Sequence, residues 1–98
     1  MNKISVVHTN GYGAGLSTWN KGWEELALDE QLAQLVLDEA YQKGDSTQVD
    51  KYLMYAYETH CDNDLTVSLI EKGRPFFIKE YDGAERIVFL DELTIYNR

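Results

Sequence analysis

The spacing of the hydrophobic residues changes along this chain. In the middle of the sequence they recur at steps of three and four residues, which is the period of a helix with one buried face. Residues 4–9 and the C-terminal third instead alternate between apolar and polar, which is the period of a strand. The sequence therefore predicts an α+β fold, a small antiparallel β-meander plus an N-terminal strand, packed against two to three helices.

Two helices follow from capping residues and periodicity. Asp29 is a good N-cap for a helix that Gly44 would end. A second helix is expected to begin at residues 45–47 and to end near Cys61, with His60 on its buried face. A third, shorter helix is expected from Ser17 through Trp23 and Leu26.

The C-terminal third predicts strands separated by turns. Asp82-Gly83 is a dipeptide that favours a two-residue type I′ hairpin, with Glu80 and Glu85 expected beside it in solvent. The expected strands are residues 65–69, 76–81 and 85–90, with residues 93–96 as an edge or tail strand.

Size and composition limit the classes of protein. Ninety-eight residues predict a single domain, 1–98. One cysteine cannot form an intramolecular disulfide, the N-terminus lacks the apolar stretch of a signal peptide, and no apolar run approaches the ~20 residues that cross a bilayer. We therefore expect a cytoplasmic protein with no membrane span.

The charge points to a class of partner. Nine Lys and Arg against seventeen Asp and Glu give a net charge of −8, which disfavours direct nucleic-acid binding. A basic protein surface is the partner that such a field would attract, although solubility alone also explains an acidic composition.

A glycine-rich segment directly follows the first predicted strand. Gly11, Gly13 and Gly15 precede Ser17, which is the context of a turn whose backbone N–H groups face a phosphate. However, Leu16 occupies the position of the third glycine of a dinucleotide-binding loop, and no P-loop lysine follows. Two interpretations stay open: a structural turn, or a loop that holds a small anionic or nucleotide-like ligand.

Aromatic residues lie beside this loop and beside the hairpin. Tyr12, Trp19 and Trp23 could stack on a ligand or on a partner side chain, or could pack in the core, with Tyr12 the best candidate for exposure. Tyr81 and Asp82 at the hairpin tip complete the candidate ligand- or partner-binding residues.

No catalytic residue, metal site or cofactor is expected. Residues 60–64 contain His60, Cys61 and two aspartates, but adjacent His and Cys match no established zinc spacing. His8 could act as a base, yet no nucleophile motif lies near it in the sequence.

Three segments together resemble a known group of proteins. They are residues 6–17, with the Gly-Tyr-Gly turn, residues 32–37, and residues 77–83, reading Phe-Ile-Lys-Glu-Tyr-Asp-Gly. The chain resembles a family of small uncharacterised proteins of tailed bacteriophages and bacteria. Many relatives carry a Cys-Tyr-Gly-Gly-Phe-type turn where this chain has residues 11–15, so no cysteine role transfers. The resemblance implies a phage-related origin and an accessory role against the host, in the host cytoplasm.

Two functions follow as hypotheses. The first is a non-enzymatic accessory protein, of the host-takeover or anti-defence type, whose acidic surface approaches a basic site on a host protein that it binds and inhibits or modulates. The second is a binder of a small anionic or nucleotide-like ligand through residues 11–17. An exposed edge at residues 93–96 would favour a homodimer.

Overall fold

The computed structural model describes residues 2–20 and 24–91, and the predicted α+β class is confirmed in them. The strands are β1 (Lys3–Thr9), β2 (Leu65–Glu71), β3 (Phe76–Tyr81) and β4 (Ala84–Phe89). The α-helices are α1 (Glu30–Leu37), α2 (Glu39–Gln42) and α3 (Thr47–Tyr57).

The strands form two antiparallel pairs. β1 pairs with β2, from Lys3 opposite Glu71 to Thr9 opposite Leu65. β3 pairs with β4 in the predicted hairpin. The pairing therefore differs from a continuous meander, because the partner of β2 is β1 rather than β3.

Packing explains this division of the strands. The inner face of the β3–β4 hairpin, which carries Ile78 and Ile87, packs against Val6 and Ile70 of the β1–β2 sheet. The hairpin therefore covers one face of that sheet instead of extending its edge. Burying this apolar face is the main stabilising contribution of the hairpin.

The helices cover the opposite face of β1. Val7, the neighbour of Val6 on β1, belongs to a second buried cluster. Since successive side chains of a strand point to opposite faces, β1 is buried on both sides. The other buried members of this cluster come from the helices, the preceding segments and β2: Leu16, Leu26, Leu32, Ala33, Val36, Val49, Leu53 and Leu65.

The first predicted helix begins where expected but is interrupted. The Asp29 carboxylate accepts a hydrogen bond from the Leu32 N–H at 3.0 Å, as an N-cap should. Asp38 adopts an extended conformation (ψ 148°) and divides the helix into α1 and α2. The Gln42 side chain donates to the Val36 carbonyl at 2.7 Å, which satisfies an acceptor at the break. Gly44 follows α2 with φ +101°.

The second predicted helix is shorter at its C-terminus than expected. α3 ends at Tyr57 because Glu58 is in the left-handed region with φ 53°. The Thr59 N–H then donates to the Leu53 carbonyl at 3.3 Å, a common helix-ending bond. The prediction that His60 lies on a buried helical face is therefore wrong, since its side chain is 68% exposed.

The segment after the glycine loop forms short 3-10 turns, not one helix. They cover Ser17–Trp19 and Glu24–Leu28. Trp23 and the expected strand at residues 93–96 lie outside the described residues. Over residues 2–20 and 24–91, no helix has the length and apolar composition that spanning a membrane requires.

Candidate functional site

The glycine loop, residues 11–15, meets the β3–β4 turn at a site that we call the loop–hairpin junction. The loop is neither strand nor helix, as expected. The Gly13 N–H donates to the Asp82 carbonyl at 3.1 Å, and the Thr9 hydroxyl donates to the Gly83 carbonyl at 2.6 Å. These bonds join Thr9 to Gly83, which are 74 positions apart in the sequence, and Gly13 to Asp82, so that distant segments form one surface feature.

The turn itself has the predicted type. Asp82 and Gly83 have φ of 51° and 85°, the two positive values that a type I′ turn requires. A Cβ atom at Gly83 would collide with the Gly13 carbonyl oxygen. Gly83 is thus needed both for the turn and for the close approach of the loop.

Glu85 is the central polar residue of the junction. It is only 5% exposed, so the expectation of a solvated side chain beside the turn is wrong. Its carboxylate accepts hydrogen bonds from the Thr9 N–H at 3.0 Å and the Leu16 N–H at 2.8 Å. The Thr18 N–H at 3.1 Å and the Thr18 hydroxyl at 2.5 Å donate to it as well. Glu85 thus occupies the position that an anionic ligand would take at such a loop.

The sequence contained a signal for the burial of Glu85. On β4 the side chains of Glu85, Ile87 and Phe89 share one face, and Ile87 and Phe89 pack against the core. The period of two therefore places Glu85 inward. The prediction of a solvated Glu85 followed its position beside the Asp82-Gly83 turn and not this period.

Gly15 is tightly enclosed by the same network. A Cβ atom there would lie 2.7 Å from the Thr18 hydroxyl oxygen, 2.7 Å from the Trp19 ring and 3.1 Å from the Glu85 carboxylate. A side chain at position 15 would displace these groups, so this glycine serves the packing of the junction.

Asn63 fixes the other side of the loop. Its side-chain amide donates to the carbonyl oxygens of Gly11, at 2.5 Å, and Ala14, at 3.2 Å. The Asn10 N–H donates to the Asp64 carbonyl at 2.8 Å. Nothing in the local sequence distinguishes Asn63 from an ordinary turn residue, so sequence reasoning missed this role.

His8 and Cys61 have side chains that could react, but both are engaged in contacts within the protein. The His8 Nδ1 is 3.1 Å from the Glu85 carbonyl, which can only accept, and its Nε2 is 2.8 Å from the Ser68 hydroxyl. Burial raises the pKa of the half-buried Cys61 thiol, which disfavours the nucleophilic thiolate. In the described part of the chain, no group of three or more His, Cys, Asp or Glu side chains could hold a metal ion.

The junction presents three aromatic side chains to solvent, which we call the aromatic surface: Tyr12, Trp19 and Tyr81. They are 71%, 54% and 74% exposed. The Tyr12 and Tyr81 rings meet edge to face with centroids 6.2 Å apart. The Trp19 indole N–H donates to the Glu80 carboxylate at 2.8 Å.

Glu80 adds a negative charge to this surface. Its carboxylate also accepts from the Gly83 N–H at 2.7 Å. The hydrogen bonds from Trp19 and Gly83 lower the pKa of Glu80, which keeps the carboxylate ionised. Trp19 is therefore held in place beside a fixed charge.

The predicted site residues do not all reach this surface. Gly11, Gly13 and Gly15 support it from the loop, and Asp82 forms the turn. Ser17 is 8% exposed and lies beneath it, not on it.

Two concave regions flank the junction. A groove of about 380 Å³ lies on the outer face of the hairpin, lined by Tyr12, Lys79, Tyr81, Ala84, Glu85 and Arg86. A cleft of about 460 Å³ lies beyond Asn63 and has Asp50, Asp62 and Asp64 among its lining residues.

Comparison with protein-family models, with curated proteins and with solved structures gives no match to this chain. The resemblance to the small phage and bacterial proteins stays a prediction.

Proposed function

We propose that this protein is a non-enzymatic binding protein whose aromatic surface docks on a partner protein with a basic surface and modulates or blocks that partner. The observation that carries the proposal is the joint exposure of Tyr12, Trp19 and Tyr81 around the loop–hairpin junction. Large aromatic side chains with a polar edge are the residues that most often dominate the binding energy of protein interfaces.

The support beneath the aromatic surface favours binding over simple exposure. Asn63 bonds two backbone carbonyls of the loop, and Glu85 accepts from three backbone N–H groups on either side of it, those of Thr9, Leu16 and Thr18. A surface held in this way loses little conformational freedom when a partner binds, so less free energy is lost on association.

The charge selects the class of partner. The net charge is −8, and the ionised Glu80 carboxylate is hydrogen-bonded to Trp19 of the aromatic surface. This field accelerates encounter with a basic surface, such as the groove of a protein that binds nucleic acid. Together with the phage-like resemblance, it supports a host protein as the partner, bound in the host cytoplasm.

The alternative, a small anionic ligand held by residues 11–17, draws less support from the geometry. The Leu16 and Thr18 N–H groups donate to Glu85, and the Gly13 N–H donates to Asp82. A ligand at this loop would have to displace an internal carboxylate from its donors.

Affinity capture from a bacterial host lysate tests the proposal, followed by binding kinetics with the captured protein. We expect Tyr12→Ser combined with Tyr81→Ser to weaken binding at least about tenfold, as loss of interface aromatics does. Tyr55→Ser is the matched control, because Tyr55 is 88% exposed on α3 and lies outside the aromatic surface.

The salt dependence gives the second readout. The association rate should fall about tenfold between ~0.05 M and ~0.5 M NaCl if charge steers the encounter. A rate that does not change with salt, or an equal loss of binding in the Tyr55 variant, would contradict the proposal.

A further inference from the structure

We propose that the groove on the outer face of the β3–β4 hairpin binds a small anionic ligand that carries a planar ring, of the nucleoside monophosphate class. This site shares Tyr12 and Tyr81 with the aromatic surface but binds its anion through the hairpin strands, not through the N–H groups of the glycine loop. The inference does not depend on the proposed protein partner, because ligand binding is measured on the isolated protein. Four side chains carry it: Tyr12, Lys79, Tyr81 and Arg86.

The strand register brings two positive charges together. Lys79 lies directly opposite Arg86 in the antiparallel pair, so both side chains are on the same face. Like charges at directly opposite positions destabilise a hairpin. Among the described residues, neither Lys79 nor Arg86 has an ion-pair partner within 4.0 Å. An anion placed between them would remove this repulsion.

The Glu80 and Glu85 side chains cannot fulfil this role. Glu80 directly follows Lys79 on β3, and Glu85 directly precedes Arg86 on β4. Since successive side chains of a strand point to opposite faces, both glutamates point to the inner face. The Glu80 carboxylate accepts from Trp19 and Gly83, and the Glu85 carboxylate accepts from the Leu16 and Thr18 N–H groups. Within residues 2–20 and 24–91, no ion-pair partner is thus left for the two cations, and we infer that the anion is an external ligand.

The aromatic lining selects a planar ring. Tyr12 and Tyr81 line the groove in an edge-to-face pair, and both are largely exposed. A ring that stacks on either side chain would gain about 1–3 kcal/mol, as bases do on aromatic platforms. The groove of about 380 Å³ lies in the range of small-ligand sites, about 300–1,000 Å³.

The rest of the chain limits the size of the ligand. The net charge of −8 repels each phosphate that extends beyond the two cations. A ligand with one phosphate keeps the local attraction and avoids most of that repulsion. The site therefore fits a mononucleotide and disfavours a nucleic-acid strand.

Isothermal titration with AMP, adenosine and inorganic phosphate tests the inference at low salt. AMP should bind at least about tenfold more tightly than either fragment, because it alone satisfies the cations and the rings together. Backbone amide shifts of the wild-type protein should move at residues 12, 79–81 and 84–86 when AMP is added.

A charge-matched pair of variants separates the groove from general electrostatics. Lys79→Gln with Arg86→Gln and the control Lys51→Gln with Lys72→Gln both change the net charge from −8 to −10. We expect the first pair to weaken AMP binding at least about tenfold and the control to change it by less than about twofold. Lys51 and Lys72 are exposed and lie outside the groove.

Several results would overturn the inference. They are absence of saturable AMP binding by the wild type, equal weakening in the two double variants, equal affinity for AMP and adenosine, and amide shifts confined to other parts of the chain. The wild-type shift map remains decisive even if the Lys79/Arg86 variant does not fold.

Discussion

At the scale of single residues, the buried Glu85 is the most informative side chain of this protein. A carboxylate removed from water costs free energy unless hydrogen bonds satisfy it. Here four donors from Thr9, Leu16 and Thr18 surround it. Glu85 therefore joins β4 to the end of β1 and to the loop that follows, and the aromatic surface depends on it.

We predict that Glu85→Gln lowers the free energy of unfolding by about 2–3 kcal/mol, the usual cost of replacing charge-assisted bonds by neutral ones and facing an amide N–H₂ toward donors. Urea denaturation followed by circular dichroism measures the change.

Glu71→Gln is the control for the loss of one negative charge. Glu71 is exposed at the end of β2, so its replacement should change the unfolding free energy by less than about 0.5 kcal/mol. Equal urea midpoints for the two variants would contradict the role assigned to Glu85.

At the scale of elements, the contact between the β3–β4 turn and the glycine loop is testable through glycine. Gly83 and Gly73 have similar backbone angles, φ +85° and +91°, but only Gly83 is crowded, by the Gly13 backbone. Gly73→Ala should cost about 1 kcal/mol for its backbone conformation alone. Gly83→Ala should cost at least about 3 kcal/mol, because the loop must also move.

Thermal and urea unfolding of both variants measure the difference. Similar costs would show that the loop does not press against the turn. A larger cost at Gly73 would contradict the contact outright.

The elements were largely predictable because their signals are local. The Asp82-Gly83 turn, the Asp29 cap and the strand at residues 76–81 depend on neighbours in the sequence. The pairing of β2 with β1 was not predictable in this way, since it depends on which apolar faces pack together.

The site was predictable in part for the same reason. The bend at residues 11–15 follows from its glycines. The bonds of Asn63 to this bend and of Glu85 to the residues that flank it join positions 52 to 76 apart in the sequence, and no local pattern records them. The break of the first helix at Asp38 likewise depends on where its buried face ends, since α2 buries no residue.

A tyrosine pair links two helices and predicts a response to pH. Tyr52 and Tyr57 of α3 donate to the Asp29 carboxylate, which caps α1, at 2.7 and 2.6 Å. Burial and the bond to Asp29 raise the pKa of Tyr52 to about 12, and they raise that of Tyr57 as well. Burial raises the pKa of Asp29, but the hydrogen bonds outweigh it and lower the pKa below its usual 3.8.

The sign of the effect follows from these directions. A tyrosine whose pKa is higher in the folded state than in the unfolded chain contributes its full stability below pH 10. This contribution is lost as the pH rises from 10 toward 12. The contribution of Asp29 is present above pH 3.8 and is lost as the pH falls through its lowered pKa.

We therefore expect Tyr52→Phe with Tyr57→Phe to flatten the fall of unfolding free energy above pH 10. Urea unfolding across that range measures it. Tyr55→Phe removes an exposed hydroxyl on the same helix and should leave the fall in place. A fall that is equally steep in the double variant would contradict the coupling between α1 and α3.

At the scale of the whole molecule, the net charge of −8 acts on the folded state. Ion pairs such as Lys43 with Glu39, at 2.9 Å, join exposed side chains and contribute little stability. Asp62 and Asp64 meanwhile line one cleft together with Asp50. Repulsion between like charges should therefore outweigh the attraction of the surface pairs.

Salt should then stabilise the protein. Raising NaCl from ~0.02 M to ~0.3 M shortens the screening length several-fold and weakens the repulsion, so we expect the melting temperature to rise by about 2–5 °C. Asp62→Asn with Asp64→Asn changes the net charge from −8 to −6. This variant should show a smaller salt-dependent rise in melting temperature, because part of the repulsion is already removed. Calorimetry at both salt concentrations measures both proteins. A melting temperature that falls with salt would show that the attractive pairs dominate, and it would contradict net repulsion in the folded state.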